Sequence, residues 1–199
     1  MADDPPEDEP VEDDPLALAN RTGLPDALRV LLAEYPRDLW TSHRNFDGLT
    51  RFWLERHLGF RQLMDGLQGR TRVFLDRPGD PRAEAQQVHR MASALIQHLQ
   101  GHHQIEDQHY FPVLAAAETR LERGFDILDA DHHALDAQLH ALAEATNGYL
   151  RALIDGPGSH DAAGAFEARL SGFERLLDRH LSDEEDLVVP VILHHAPRL

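Results

Sequence analysis

The sequence contains no cysteine. That absence excludes disulfides, thiolate metal sites, cysteine nucleophiles and cysteine-bound clusters. Any metal has to be held by histidine and carboxylate, a donor set that suits iron, manganese or zinc better than copper(I). Lysine is absent too. All 19 basic residues are arginine, against 35 acidic ones, and the net charge is −16. A field of that sign repels nucleic acid and anionic membrane surfaces, so neither is expected as a partner. No apolar run reaches the length of about 18 residues that a membrane-spanning helix needs. The first residues, MADDPPEDEPVEDD, lack the basic start and apolar stretch of a secretory signal. A soluble, cytoplasmic protein is expected.

What is present is a helix-forming composition with many histidines. The 199 residues are 42% hydrophobic, enough for one domain with a sizeable core. Residues 1–22 combine acid and proline and read as a disordered acidic tail, leaving 23–199 as the domain. Leu24 to Tyr35 is amphipathic and predicts a short extra N-terminal helix, closed by Pro36. Breakers then cluster at 77–81, 119–124 and 155–159. They divide the chain into four long segments, 42–76, 82–117, 125–154 and 160–193, each ~45 Å long as a helix. Short connections between long helices make antiparallel neighbours, so the expected fold is all-α, an up-down-up-down four-helix bundle. No segment alternates with the period of a strand.

Each segment carries one stripe at helical spacing. The stripes are Thr50, Trp53, His57, Phe60, Met64, Leu67, Thr71, Phe74 on the first, and Val88, Ala92, Leu95, Leu99, His102, Glu106, His109, Val113 on the second. The third has Phe125, Leu128, His132, Leu135, Leu139, Leu142, Thr146, Tyr149, and the fourth Phe166, Leu170, Phe173, Leu177, His180, Glu184, Leu187, Val191. A histidine interrupts every stripe. His102, Glu106 and Pro112 align with His180, Glu184 and Pro190 at one constant offset, and His57 aligns with His132 in the same manner. The midpoints of His57 and His102, of His102 and His132, and of His132 and His180 all fall at or beside the breaks. The four histidines therefore share one layer, and Trp53, Glu106, Leu128 and Glu184 share the next.

Six polar groups in two core layers are costly to leave unpaired. A hydrogen-bonded network of His and Glu would relieve that cost, but it needs no matched spacing on all four helices. A metal site does. One tetrahedral zinc uses only part of the set. Two irons use all of it, with both glutamates bridging and room for an oxo or hydroxo bridge and a small ligand. Around this set, His98, His103 and His109 read as flanking or structural, and His133 as facing solvent. Asp107, Glu185 and Asp186 read as a charged face from which one carboxylate orients a ligand imidazole. His43, His89, His160, His194 and His195 form no usable pattern.

HHQIEDQHYFP at 102–112 and HLSDEEDLVVP at 180–190 resemble the hemerythrin-like, or HHE cation-binding, family. Asp131-His132 with Leu135 resembles that family's third-helix histidine, and His57 with Phe60 the first. The resemblance spans about 42–193 and implies a non-haem di-iron centre held by His57, His102, Glu106, His132, His180 and Glu184. It departs from oxygen-carrying hemerythrins, whose third helix bears a second histidine where Asp136 or Leu128 stands here. Their last helix carries an Asp five after its His; Glu184 comes four after His180. Simple oxygen carriage is thus disfavoured. The resemblance implies binding or sensing of dioxygen, nitric oxide or iron. A di-iron oxidase or peroxidase-like enzyme and a metal-stabilised interaction module stay open, as does a protein partner or a homodimer.

Overall fold

A computed structural model describes residues 14–156 and 158–197. Every regular element among those residues is helical, and no strand forms among them. After a 3-10 turn at Asp26–Leu28 come α1 (Val30–Glu34), a second 3-10 turn at Arg37–Ser42, and α2 (Gly48–Asp76). Then follow α3 (Pro81–Ile105), a π turn at Glu106–Tyr110, α4 (Phe111–Ala117), a 3-10 turn at Thr119–Leu121, α5 (Glu122–Asp155) and α6 (Ser159–His195).

The boundaries follow local chemistry. Asp47 caps α2 by accepting from the Thr50 amide, and Asp80 caps α3 by accepting from the Arg82 amide, with Pro81 in the first turn. Gly156 and Gly158 have φ of 89° and 85°, a region that L side chains rarely adopt, and the chain reverses there between α5 and α6. The softer break expected at 119–124 is shorter in the structure. Gly124 lies inside α5, where a Cβ would come within 2.9 Å of Leu187.

The long helices pack in a ring: α2 on α3, α3 on α5, α5 on α6, and α6 on α2. Cross-helix pairs give their directions. Arg61 meets Asp178 and Arg72 meets Glu167, so α2 and α6 run oppositely. His57–His102 with Arg70–Glu84, and Asp131–His180 with Tyr149–Phe166, do the same for the other two hairpins.

The expected stripes on α2, α5 and α6 are buried at every position. They form two separate apolar clusters. One gathers Phe60, Met64, Leu99, Leu135, Leu139 and Leu177; the other Trp53, Phe111, Leu114, Leu128, Leu187 and Trp40. On each of these helices the chain passes from one cluster to the other through histidine or glutamate. Each buried large apolar side chain contributes roughly 1.5–3 kcal/mol relative to exposure.

The stripe on α3 needs correction. Val88, Ala92, Leu95, Leu99 and Glu106 are buried as expected, but His109 is exposed and Val113 is 40% exposed. The π turn is the reason. The Phe111 amide donates to the Glu106 carbonyl, five residues back, which adds a residue to the turn and rotates everything beyond it. Phe111 and Leu114 take the core positions instead. The N-terminal segment also differs. Leu18 and Arg21, read as tail, are 5% and 7% exposed and packed on the domain, while residues 1–13 lie outside the described residues. The helix expected at Leu24 to Tyr35 is broken into the Asp26–Leu28 turn and α1.

The register shift has a direct test in urea unfolding. Leu114→Ala is expected to cost about 2–5 kcal/mol as a cavity in the core. Val113→Ala, on the exposed side of the π turn, is expected to stay within about 1 kcal/mol of the parent.

Candidate metal centre

The polar layer is built one helix at a time. Trp53, His57 and Phe60 follow one another on the inner face of α2, so His57 is held between two large aromatic neighbours and is fully buried. On α3, Leu99 and Glu106 lie nearly in line along the inner face. His102 and His103 stand three and four residues after Leu99, so they fall on either side of that line and both reach the core. On α6, His180 and Glu184 are one turn apart and both 0% exposed. His132 on α5 is 2% exposed.

Their donor atoms form two groups. His57, His102, Glu106 and Glu184 offer atoms within 4.8 Å of one another; so do His103, His132 and His180. The glutamates lie between the groups. Glu106 Oε1 is 3.1 Å from His102 Nε2, and its Oε2 is 3.8 Å from His132 Nε2. Glu184 Oε2 is 3.6 Å from His57 Nε2 and 3.3 Å from His180 Nε2. His57 Nε2 and His102 Nε2 face each other at 2.9 Å. The ring of His103 stacks on His132 with centroids 4.0 Å apart.

Three imidazoles are oriented from outside. Nδ1 of His57 meets Glu185 at 3.1 Å, Nδ1 of His132 meets Asp107 at 2.6 Å, and Nδ1 of His180 meets Asp131 at 3.2 Å. A carboxylate only accepts, so the Nδ1 hydrogen points outward and the Nε2 lone pair points into the layer. That tautomer is the one a metal ligand needs. Trp53 adds a donor of its own, with Nε1–H 2.5 Å from Glu106 Oε1.

The remaining inward atoms have no hydrogen-bond partner. They are both nitrogens of His103, Nε2 of His132 and His180, Oε2 of Glu106 and both oxygens of Glu184. Buried polar atoms are almost always paired, because each unpaired one costs about 1–3 kcal/mol. Orphaned polar atoms gathered in one layer, on residues that are metal ligands by type, fit bound metal cations. The local electrostatics agree. Burial first, and then the Glu184 charge, push the Glu106 carboxyl well above its ordinary range; burial raises Glu184 to about 7. Burial first, and then neighbouring imidazoles, hold His102 and His103 well below the usual histidine range. Neutral imidazole is the form that binds metal. Burial works to raise Glu185, yet hydrogen bonds and charge from His57 and Arg61 outweigh it and leave that carboxyl at about 2.

All six residues singled out in the sequence lie in this layer. His103 was read as a flanking residue and is a buried member of the layer, 3% exposed. The apolar-stripe argument admits one residue per layer from each helix, and the His102-His103 pair supplies two. The signal was the pair itself, straddling the line from Leu99 to Glu106. Asp107, Glu185 and Asp186 were read as a charged face from which one carboxylate orients an imidazole; two of them do, and Asp131, which was not in that set, is a third. Asp186 instead accepts from Arg37. His98, His109 and His133 are exposed. His194, His195 and Glu118 come together at the surface, but Arg120 holds both oxygens of Glu118 at 2.7 Å.

Comparison with known proteins bears on residues 48–192, which match the model of the hemerythrin HHE cation-binding domain. No curated protein and no solved structure matches the chain.

Metal content separates the buried histidines from their exposed neighbours. His103→Ala and His132→Ala are expected to lose bound metal, and His98→Ala and His133→Ala to retain it. Loss of metal from His133→Ala with retention in His132→Ala would overturn the register of α5.

Proposed function

The chain belongs to the hemerythrin HHE cation-binding domain family, and on that premise we propose that it holds a non-haem di-iron centre that binds or senses a small diatomic ligand, dioxygen or nitric oxide. In this reading His57 and His102 would hold one iron, His103, His132 and His180 would hold the other, and Glu106 and Glu184 stand within reach of both groups. The observation that carries it is the pair of donor groups on either side of two glutamates, with most of the inward atoms otherwise unpartnered. An up-down-up-down four-helix bundle is the architecture behind it, supported by the ring of helix contacts and the opposed cross-helix pairs. Bound iron would supply reversible coordination of the diatomic ligand.

The chain's own residues set the conditions for that binding. Five imidazoles and two carboxylates make a donor set rich in neutral nitrogen, which moderates the charge buried with the metal. Phe111 stacks on His132 at 5.3 Å, Phe60 lies 5.2 Å from His102, and Trp53 packs edge-on to His57 at 5.3 Å. These rings exclude water from the layer. The Trp53 N–H fixes one oxygen of Glu106, which leaves the other directed at the His132 side.

A second reading, an oxidase or peroxidase-like enzyme, draws on one observation. A groove of about 420 Å³ between α2 and α3 is lined by Phe52, Trp53, Arg56, His98, His102 and Tyr110. His102 is the least buried of the seven residues and is part of that lining. A substrate would reach the layer by that route. Binding and turnover are separated by experiment.

Protein from iron-fed cells is expected to carry about two irons per chain, as in related di-iron bundles. Its near-ultraviolet absorption is expected to differ between anaerobic and aerobic samples, and to return on removal of oxygen. One zinc per chain with no response to oxygen or nitric oxide would overturn the reading. Sustained consumption of oxygen or peroxide with a reductant would favour the enzyme.

A further inference from the structure

We propose that the chain ahead of the matched domain is a working part of the metal centre: Arg21 and Arg37 are positioning residues that aim His180 and His57 by gripping the carboxylates to which those histidines are bonded. The inference rests on the metal reading above. Both arginines precede residue 48, where the family match begins.

Arg21 is buried, with its side chain 2% exposed. Its Nη1 and Nη2 both donate to Asp131, one to each oxygen, and its Nε donates to Asp183 at 2.8 Å. Asp131 Oδ2, held by Arg21, is the oxygen that faces His180 Nδ1. Asp183 also accepts from the Leu24 amide and from Arg179, whose Nη1 donates to the Thr22 carbonyl at 2.7 Å. The segment is thereby fastened to α5 and α6 at the level of His180.

On the other side Arg37 grips Glu185 through one oxygen, with its Nε on Asp186. Its Nη1 donates to Glu185 Oε2 at 2.7 Å, and its Nη2 to the Ser182 carbonyl at 3.1 Å. The second oxygen of Glu185 takes Arg61 at 2.8 Å and faces His57 Nδ1. Two imidazoles, one in each donor group, thus depend on carboxylates held from the N-terminal segment. The third oriented imidazole, His132, relies on Asp107, which has no arginine partner among the described residues.

The chemistry asks for arginine at these places. A bidentate guanidinium, as Arg21 is on Asp131, or one arginine on each oxygen, as Arg37 and Arg61 are on Glu185, fixes a carboxylate and with it the imidazole bonded to it. A segment needed only for packing would not require the buried Arg21 guanidinium on the oxygen that His180 uses, nor Arg37 on the Glu185 oxygen opposite the one that faces His57. The segment therefore acts as a strap, and whatever lifts it loosens the metal.

The test uses the full chain and Co²⁺ as an anaerobic probe, reading affinity by chelator competition and coordination by the visible d–d bands. Circular dichroism first confirms that each variant is folded. Arg37→Met and Arg21→Lys are expected to weaken Co²⁺ by roughly 10-fold or more and to shift the bands, as loss of outer carboxylate support does elsewhere. Arg72→Met, which breaks an ion pair with Glu167 away from the layer, is expected to change neither. Should Arg21→Lys fail to fold, Arg37→Met decides, because that side chain is 47% exposed. Folded variants with parental affinity and bands would overturn the strap while leaving the metal reading intact. A parent chain that takes up no Co²⁺ and no iron would overturn the metal reading itself, and the strap with it.

Discussion

Seven side chains that prefer water are enclosed between two apolar cores, and the cost of that enclosure governs the structure around them. Glu106 and Glu184 are fully buried and face each other across the layer. Removing a carboxylate from water costs several kcal/mol even after relaxation, and a second of like sign beside it costs more. Imidazoles alone offset little of this, since neutral rings carry no charge. Metal cations at the centre would offset it directly. The aromatic residues around the layer then serve the same end, because excluding water is what makes donor–cation attraction strong.

The outer ring answers a different need. An inward lone pair is useful only if the ring cannot turn, and each of His57, His132 and His180 is held by a carboxylate behind it. Two of those carboxylates, Asp131 and Glu185, are buried and need partners, which Arg21, Arg37 and Arg61 supply. In a chain with a net charge of −16 and no lysine, these arginines use their several fixed donors, Arg21 on both oxygens of Asp131 and Arg37 and Arg61 each across two carboxylates. Charge, orientation and the docking of the N-terminal segment thus form one network rather than three features.

Helix α3 shows how the layer and the fold accommodate each other. A regular helix would have continued the stripe through His109 and Val113. The π turn beginning at Glu106 instead brings Phe111 inward, against His132 and Phe125. Upstream, His102 and His103 share the inner face on either side of the line through Glu106. Irregular turns of this type cost helix hydrogen-bond geometry, and they recur at functional sites for the re-aiming they allow.

Much of this was determined by the sequence alone. The stripes on α2, α5 and α6, the breaks between them, the shared level of His57, His102, His132 and His180, and the neighbouring glutamates all follow from the period of the helix and the symmetry of a hairpin. Both rules are local or depend only on distance from a turn. The tertiary structure alone decided three things. It buried His103, because two adjacent residues both reach the core only when the facing helices leave room. It moved the α3 stripe, because one hydrogen bond slipped by a residue under the packing of Phe111. It brought Arg21, Arg37, Asp131 and Glu185 onto the histidines, because those contacts join positions far apart in the chain, and periodicity carries no record of which distant side chains will meet.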